Sequence, residues 1–308
     1  MQPRHTAILM GTCNGAPFLR QQVQSILSQT LPTWSLWVSD DGSTDQTLPI
    51  LQAQQAQLGS DRLRILNGPA SGFVRNFLSL ACHPDISAHY FAFADQDDIW
   101  LPDKLQHAVE TLESVPADLP ALYCSRTLII DETGVEGGYS RLNRVEPGFA
   151  NALIQNIASG NTMVFNAAAR DLLLQAGPDL DVFAHDWWLY LAVMAAGGSV
   201  LFDSTPRVKY RQHQRNQIGA TITLTALLRR TRLDRNGHLR STFRRNIAAL
   251  ARIRDRITPE NLALLDKVGQ LAQPNPVCRL RAFLRLPFKR QQFLGNCSLA
   301  LAVWLNRL

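Results

Sequence analysis

The chain has 308 residues, of which 46% are apolar and 18% charged, so it has the composition of a globular protein and not of a disordered one. Its five cysteines are scattered and include no CxxC pair, which argues against a disulfide framework or zinc knuckle and favours a cytoplasmic protein with reduced thiols. The net charge of +6 is unevenly distributed, because residues 220–308 carry 17 Lys/Arg against 4 Asp/Glu. We therefore expect an acidic domain at 1–219 and a basic one at 220–308.

Strand-like and helix-like segments alternate through the first 100 residues. Buried-strand patterns occur at 6–10, 35–39, 63–66 and 90–94. Helical patterns separate them: one carries Leu19, Val23 and Ile26 on one face, and the others cover 48–58 and 72–82. This rhythm predicts an α/β fold with a mainly parallel sheet flanked by helices, whose ligands bind at the carboxyl ends of the strands.

The pattern is more mixed from residue 101 to 219. It predicts helices at 102–114, 151–157 and 186–196, the last stopped by two glycines. Strands are predicted at 122–125, 127–131, 162–165, 200–203 and 208–211, and the loop before residue 146 contains glycine. After residue 221 the sequence is helical, arginine-rich and almost free of strand patterns.

Polar residues follow the first three predicted strands. The turn from Gly11 to Gly15 either lets a base or ribose approach the backbone or simply joins strand to helix. Asp41 stands where an acid commonly binds a ribose hydroxyl or base, whereas Ser43 and Asp45 can cap the next helix. Arg75 is placed either to reach a diphosphate or to be a solvated helix residue.

Three acids follow the fourth strand, namely Asp95, Asp97 and Asp98. Carboxylates this close repel one another unless a cation or a basic partner is present. A divalent cation that bridges them to two phosphates removes this repulsion, and a solvent-facing acidic turn is the alternative. We expect a Mg²⁺ or Mn²⁺ site here.

Two later segments also carry reactive side chains. Asp186 lies in the first turn of a predicted helix, where the helix dipole keeps it ionised as a general base must be. Trp187 and Trp188 cannot share one helical face, so at least one is expected to line a groove suited to sugar rings, unless both pack in the core. His213, just beyond a strand, is either a further metal ligand or an ordinary surface residue.

These segments together resemble glycosyltransferase family 2, an inverting family with the GT-A fold. The resemblance covers roughly residues 5–216 and rests on the order and spacing of seven short motifs. They are Thr12–Gly15 (TCNG), Gln24–Thr30 (QSILSQT), Asp40–Asp45 (DDGSTD), Asp95–Trp100 (DQDDIW), Ser159–Met163 (SGNTM), His185–Trp188 (HDWW) and Tyr210–His213 (YRQH). More narrowly, the sequence is similar to rhamnosyltransferase-type members that build O-antigen and other bacterial surface polysaccharides.

The resemblance implies a role for each matching residue. The nucleotide-sugar donor would contact Thr12, Cys13, Asn14, Asp41, Arg75, Asp95 and Gln96. Asp97, Asp95 and His213 would hold the metal, Asp186 would be the catalytic base, and the acceptor would contact His185, Trp187, Trp188 and Gly160. The family usually has Tyr at Cys13 and often Glu at His185, so base stacking is expected elsewhere and His185 is expected to serve the acceptor.

The resemblance also implies partners and place. The chain would have a Rossmann-like GT-A domain at 1–219, with a nucleotide-sugar half at about 1–100 and an acceptor half at about 101–219. The donor would be dTDP- or UDP-linked and the acceptor a glycan or lipid-linked oligosaccharide. Arginine pairs and apolar residues within 220–308 suit an anionic membrane surface better than nucleic acid, so we expect a peripheral protein on the inner face of the cytoplasmic membrane. The alternative is a C-terminal region that packs on the catalytic domain with a solvated arginine face.

Two other functions fit parts of the sequence. An inactive member that only holds nucleotide sugar or lipid would not need the intact set of Asp95, Asp97 and Asp186. A nucleotidyltransferase would share the sheet and the acidic metal site, but Gly11 to Gly15 lacks the basic residue expected in its phosphate loop.

Overall fold

The computed structural model describes residues 4–213 and 238–308. Within them, nine strands form one sheet in the order β3-β2-β1-β4-β8-β6-β9-β5, and β7 pairs with β6 at the side. The strands are β1 (Thr6–Thr12), β2 (Trp34–Asp40), β3 (Leu63–Asn67), β4 (Tyr90–Ala94), β5 (Ile99–Trp100), β6 (Ala121–Ile130), β7 (Glu136–Tyr139), β8 (Val164–Asn166) and β9 (Ser199–Arg211).

Helices cover both faces of this sheet and form the C-terminal region. In the first part of the chain they are α1 (Ala16–Leu27), α2 (Thr47–Leu58), α3 (Phe73–Ala81), α4 (Lys104–Leu112), α5 (Phe149–Ala152), α6 (Ala167–Ala176) and α7 (His185–Ala195). Those after residue 237 are α8 (His238–Leu250), α9 (Pro259–Gly269), α10 (Pro276–Leu284) and α11 (Phe293–Trp304). Short 3₁₀ helices occur at Gly160–Thr162, Ala251–Arg256 and Gln270–Ala272.

The first half of the sheet is parallel, and its strands β1, β2 and β4 are buried on both sides, whereas the edge strand β3 is partly exposed. β1 pairs in parallel with β2 and β4, and β2 with β3. Alternate side chains of β1 enter different cores: Ala7 and Leu9 pack towards α3, α6 and α7, whereas Ile8 and Met10 pack towards α1, α2 and α4. This two-sided burial explains why the strands read as continuous apolar runs.

The second half is mixed. β8 runs antiparallel between β4 and β6, and β9 is parallel to β6. The expected α/β sheet with flanking helices and a helical C-terminal region is confirmed. The pairs of strands predicted at 122–131 and 200–211 are single strands, because a register shift between Ser125 and Thr127 lets β6 and β9 continue past an irregularity.

The C-terminal helices pack on the sheet domain. One apolar cluster includes Leu189 and Val193 of α7 together with Phe243, Leu250 and Ile253 from the region after residue 237. Among the described residues, none of the helices is both long enough and apolar enough to cross a bilayer. The predicted basic and apolar positions at 224–230 lie outside the described residues.

Candidate active site

The parallel strands bring four turns to one edge of the sheet. Thr12 is in register with Asp40, Asp40 with Asn67, and Met10 with Ala94. The turns that begin at Cys13, Asp41, Gly68 and Asp95 are therefore neighbours, as predicted for ligand binding at the carboxyl ends of strands.

Side-chain amides link the β1 turn to the β4 turn. The Cys13 N–H donates to Gln96 Oε1 at 2.9 Å, and Gln96 Nε2 donates to the Cys13 carbonyl at 3.0 Å. A Cβ at Gly15 would lie 2.1 Å from Gln96 Oε1, so this approach requires glycine. Gln96 thus holds the turn that carries Cys13, a function that its position in the motif alone did not predict.

Asn14 links the same turn to the β2 turn. Its φ of 52° lies in the left-handed region, which Asn tolerates better than most residues. Its Oδ1 accepts from the Thr44 N–H at 2.8 Å, and its own N–H donates to Ser43 Oγ at 2.8 Å. Thr12 donates to Asp40 Oδ1 at 2.9 Å, so the expected donor-binding residues Thr12 and Asn14 also fix the turn.

Asp41 and Arg75 both have protein partners. Asp41 accepts from the Gly72 N–H at 2.8 Å, at the start of α3, and a longer contact reaches Ser71 N. Arg75 forms an ion pair with Asp179 through Nη1; the Arg75 side chain is partly exposed and that of Asp179 is exposed. Asp41 therefore borders the β3–α3 loop, and Arg75 has an acidic partner in the protein.

Asp95, Asp97 and Asp98 form a compact cluster, in which one carboxylate oxygen from each residue lies within 4.8 Å of the other two. Burial raises the pKa of Asp95 well above its ordinary value, and the charges of Asp98, Asp97 and Asp186 raise it further. Repulsion of this kind is relieved by a cation, as expected from the sequence.

Asp98 is set apart from the other two acids by complete burial. Its Oδ2 accepts from Asn161 Nδ2 at 2.6 Å and its Oδ1 from the Arg211 N–H at 3.1 Å. Burial, followed by the charge of Asp97, raises the pKa of Asp98 to about 7. Both oxygens are engaged by the protein, so Asp98 holds the turn while Asp95 and Asp97 face the site.

His213 joins the acidic cluster from the end of β9. Its Nε2 lies 2.7 Å from Asp97 Oδ2, and its ring stacks on Phe18 at 5.0 Å between centroids. The buried Arg211 supports this placement, since its Nε donates to the Asp97 carbonyl at 3.0 Å. His213 therefore lies beside one carboxylate of the acidic cluster, and carboxylate oxygens are ligands that fit Mg²⁺ or Mn²⁺.

Asp186 lies at the start of α7, as predicted, and both its oxygens accept hydrogen bonds. Oδ2 accepts from Asn156 Nδ2 and from the Gly160 N–H, each at 3.0 Å, and Oδ1 accepts from the Trp187 N–H at 2.6 Å. Burial raises the pKa of Asp186 above its ordinary value, against the effect of these donors. A fixed carboxylate with raised basicity suits a general base.

Two expected acceptor residues lie in the core, which corrects the sequence-based expectation. His185 is 5% exposed and stacks on Phe77 at 4.0 Å, with Phe93 edge-on at 4.7 Å. Trp188 is completely buried. Apolar packing therefore explains both residues, and neither offers a surface to an acceptor.

Trp187 and Gly160 remain beside Asp186. Trp187 is half-buried, and its Nε1 donates to the Ala152 carbonyl at 2.6 Å. A Cβ at Gly160 would lie 3.1 Å from Asp186 Cβ and from His185 Nε2. Gly160 therefore supports Asp186 directly, through its N–H and through its lack of a side chain.

The sequence-based prediction missed residues that hold the site from behind. Asn156 and Asn161 bind Asp186 and Asp98, and Arg211 binds the acidic turn through its backbone and side chain. Asn161 lies within the quoted Ser159–Met163 motif, which was a signal for it. Asn156 had none, because its role depends on a contact 30 residues along the chain.

Comparison with known proteins agrees with this geometry. Residues 7–173 match the family described as Glycosyl transferase family 2. The chain is 30% identical to the dTDP-rhamnosyl transferase RfbG of Shigella flexneri over 79% of this chain and 84% of that protein. It is 25% identical to the UDP-Glc:alpha-D-GlcNAc-diphosphoundecaprenol beta-1,3-glucosyltransferase WfgD of Escherichia coli over 61% of this chain and 69% of that protein.

Solved structures show the same fold at lower identity. TarS of S. aureus in complex with UDP gives a TM-score of 0.52 at 16% identity, over 68% of this chain and 60% of that one. The mannosyltransferase PcManGT of Pyrobaculum calidifontis, in complex with GDP-Man and Mn²⁺, gives a TM-score of 0.51 at 17% identity, over 100% of this chain and 88% of that one. The family match covers more than half of the sequence, which sets aside a nucleotidyltransferase: the chain belongs to glycosyltransferase family 2 and has its GT-A fold.

Proposed function

We propose that the chain is an inverting glycosyltransferase that moves a sugar from a dTDP- or UDP-linked donor to a hydroxyl group of a glycan or lipid-linked glycan acceptor. Rhamnose is the first sugar to test, and cell-surface polysaccharide synthesis, including O-antigen, is the proposed process. The relatives RfbG and WfgD support this choice by what their names state. The observation that carries the proposal is that adjacent residues of one 3₁₀ helix bind both acidic groups: the Gly160 N–H donates to Asp186, and Asn161 donates to Asp98 of the acidic cluster, so the proposed base lies next to that cluster.

The proposed reaction uses one carboxylate for proton transfer. Asp186, held by Asn156, Gly160 and the Trp187 N–H, takes the proton from the acceptor hydroxyl group. The acceptor oxygen then attacks the anomeric carbon opposite the leaving diphosphate, whose bond to that carbon breaks. Inversion follows from this single in-line displacement.

The hydrogen-bonded turns after β1, β2 and β4 support the proposed binding of the donor at this edge of the sheet. Thr12, Cys13, Asn14 and Asp41 border the proposed nucleotide pocket, and Gln96 keeps the Cys13 turn in place. Asp95, Asp97 and His213 would hold Mg²⁺ or Mn²⁺, which supplies positive charge against the departing diphosphate. Arg75 is proposed as a diphosphate contact only after release from Asp179.

We also propose that the protein works in the cytoplasm at the inner face of the cytoplasmic membrane. The positive balance of residues 220–308 supports this, because anionic lipids attract clusters of Lys and Arg. A lipid-linked acceptor would be available there.

A donor panel tests the proposed activity. Purified protein is incubated with dTDP-, UDP- and GDP-linked sugars, with Mn²⁺ or with EDTA, and thermal shift and nucleotide release are measured. We expect stabilisation by one donor class with Mn²⁺ and loss of turnover in EDTA. Full turnover in EDTA would refute the metal site, and failure of every donor to bind would refute the proposed activity.

Two variants separate the proposed roles. Asp186→Asn is expected to lower turnover by about 10²- to 10⁴-fold, as for the loss of a general base, with donor binding kept. Asp97→Ala is expected to lose metal-dependent donor binding. The matched control is Asp61→Asn, a fully exposed acid outside the site. Loss of donor binding in Asp186→Asn would instead assign Asp186 to the donor or to folding.

A further inference from the structure

Exposed apolar side chains concentrate on the antiparallel pair α10 and α11. Among residues 4–213 and 238–308, eleven large apolar side chains are exposed, and seven of them lie between residues 277 and 305. The most exposed are at the end where α10 finishes and α11 begins. The seven are Val277 (44%), Leu284 (70%), Phe293 (80%), Leu294 (71%), Leu301 (57%), Trp304 (42%) and Leu305 (48%).

Helix α11 is apolar on two opposite sides. Leu299 and Val303 face the protein core. The opposite side presents Phe293, Leu301 and Trp304, spaced as one helical face, and Phe293–Trp304 contains no charged residue. A helix that is apolar on opposite sides is expected to have both of them covered, but only one is covered by the described residues.

Positive charge surrounds these apolar side chains. Arg281 and Arg285 are exposed on α10 and alternate with Val277 and Leu284, and Lys289 and Arg307 are exposed nearby in the chain. No Asp or Glu follows Asp266 in the sequence. We call the exposed residues of α10 and α11, with Lys289, Leu305 and Arg307, the hairpin face.

The hairpin face is connected to the acceptor side of the site. Gln291, in the α10–α11 connection, accepts from the Arg144 and Val145 N–H groups at 2.7 and 2.8 Å. Its own N–H donates to Gln155 Oε1 at 2.9 Å. The next residue, Asn156, donates to Asp186.

We propose that the hairpin face docks on an anionic lipid bilayer, with Phe293, Leu294 and Trp304 entering the interface and the basic side chains meeting lipid phosphates. An apolar face bordered by Arg and Lys, with Trp among its residues, has the composition of helices that lie in a membrane interface. Four exposed positive charges without an acid disfavour a second copy of the same face, since like charges would meet. The aliphatic side chains also give nucleic acid no hydrogen-bonding groups.

Docking on this face would bring Asp186 towards a lipid-linked acceptor. That consequence rests on the proposed function, whereas binding to lipid does not. The two are therefore tested separately, with vesicles for docking and a vesicle-free assay of nucleotide release for transfer.

Vesicle flotation of the full chain tests the docking. We expect binding to phosphatidylcholine vesicles that contain phosphatidylglycerol, weakened by salt, and little binding to phosphatidylcholine alone. Phe293→Ser with Leu294→Ser is expected to weaken binding at least tenfold without changing the melting temperature or vesicle-free nucleotide release. Arg281→Gln with Arg285→Gln is expected to weaken binding and reduce its salt dependence.

Matched controls locate the effect. Leu174→Ser removes an exposed apolar side chain from α6, and Arg252→Gln with Arg254→Gln removes the same charge from the basic region outside the hairpin. Both should bind vesicles like the parent. Trp304 is more exposed than the other five tryptophans, so brominated lipid should quench emission in the parent and much less in Trp304→Phe.

Three outcomes would overturn the proposal. The first is that the parent chain fails to bind anionic vesicles, and the second is that both hairpin variants bind as well as the parent. The third is that brominated lipid quenches the emission of Trp304→Phe as much as that of the parent. If the Phe293 and Leu294 substitutions instead convert a dimer to a monomer in light scattering, with vesicle binding unchanged, the face is a self-association surface. Normal nucleotide release with failed vesicle binding would refute docking and the proposed place at the membrane, but not the proposed sugar transfer.

Discussion

Burial makes His185 a core residue and not a contact for the acceptor. It precedes the proposed base, but its ring lies among Phe77, Phe93 and Phe73. Neither ring nitrogen has a hydrogen-bond partner among the described residues, and burial lowers the pKa of His185 to about 3. The imidazole is therefore neutral in the folded protein and shapes the apolar wall behind Asp186.

This burial predicts a pH dependence of stability. The ordinary pKa of 6.5 applies in the unfolded chain, so between about pH 6.5 and 3 the unfolded state binds the proton that the folded state rejects. His185 should therefore destabilise the fold as the pH falls through this window, by at most about 1.4 kcal/mol per pH unit. His185→Leu should flatten the dependence of the unfolding free energy on pH.

Denaturant unfolding from pH 8 to pH 4 measures this difference. His89→Leu removes an exposed histidine and is the control. Other groups titrate in the same range, but they are common to all three proteins, so the difference in slope belongs to residue 185. Equal slopes for the parent and His185→Leu would show that the imidazole is not neutral in the core.

At the scale of elements, Asp98 joins three segments that carry site residues. It follows β4 with the acidic turn, binds Asn161 in the 3₁₀ helix Gly160–Thr162, and binds the backbone of Arg211 at the end of β9. The 3₁₀ helix supplies the Gly160 N–H to Asp186, and β9 leads to His213. We infer that Asp98 is a positioning residue that keeps the base and the metal ligands in register.

Exchange of the two side chains tests this position. Asp98→Asn and Asn161→Asp should each lower turnover at least tenfold. The first turns an amide NH₂ towards either Asn161 Nδ2 or the Arg211 N–H, and the second places two carboxylates face to face in a buried site. The double exchange restores a donor–acceptor pair between the two side chains. The Arg211 N–H can still donate to the side-chain amide oxygen of residue 98. We expect turnover to recover more than thermal stability does, measured by steady-state rates and melting temperature.

The single and double variants also separate coupling from general damage. Asn166→Ala breaks a buried Asn with comparable local bonds, to the Ala121 and Ala169 N–H groups, away from the site. It should lower the melting temperature without the same loss of turnover. Additive losses in the double exchange would mean that residues 98 and 161 do not act as a pair.

The sequence predicted helices and strands well where the burial of a single element determines its pattern of apolar residues. The buried run at Tyr90–Ala94 was predicted with its observed bounds, because a strand buried on both sides is apolar throughout. Helix α6 was missed although Asn166 caps it, since it follows β8 without a turn that would mark its start. The helix predicted at 151–157 is shorter, as Phe149–Ala152, and Asn156 is used instead to hold Asp186.

Residues whose role depends on distant partners could not be predicted in the same way. The Thr12, Asp95 and Asp186 positions follow from strand and helix ends, which are local features. Whether His185 faces the acceptor or Phe77 depends on packing between α3 and α7. His185 and Phe77 are 108 residues apart in the chain, so no local pattern reveals their contact. The position of Asp186 at a helix start could be predicted from the sequence, but its surroundings could not.

At the scale of the whole molecule, the charge boundary near residue 220 is not a break in the core. Ile253 and Leu250 belong to the same apolar cluster as Leu189 and Phe165 of the sheet domain. The end of α7 is also capped from the C-terminal region, because the Thr258 N–H and Asn261 Nδ2 donate to the Ala195 carbonyl at 3.1 and 3.0 Å. We propose that the sheet domain and the helices after residue 237 unfold together.

Truncation of Ile253 tests this cooperativity. Its side chain is completely buried, so Ile253→Ala should destabilise the protein by about 2–5 kcal/mol through lost burial and a cavity. If the C-terminal helices share one cooperative unit with the sheet, calorimetry should show one transition shifted as a whole. Leu284→Ala, at a side chain that is 70% exposed, should leave the transition unchanged. If calorimetry instead shows two transitions and Ile253→Ala moves only one of them, the C-terminal helices fold separately. A bound donor would then stabilise only the other transition, that of the sheet domain.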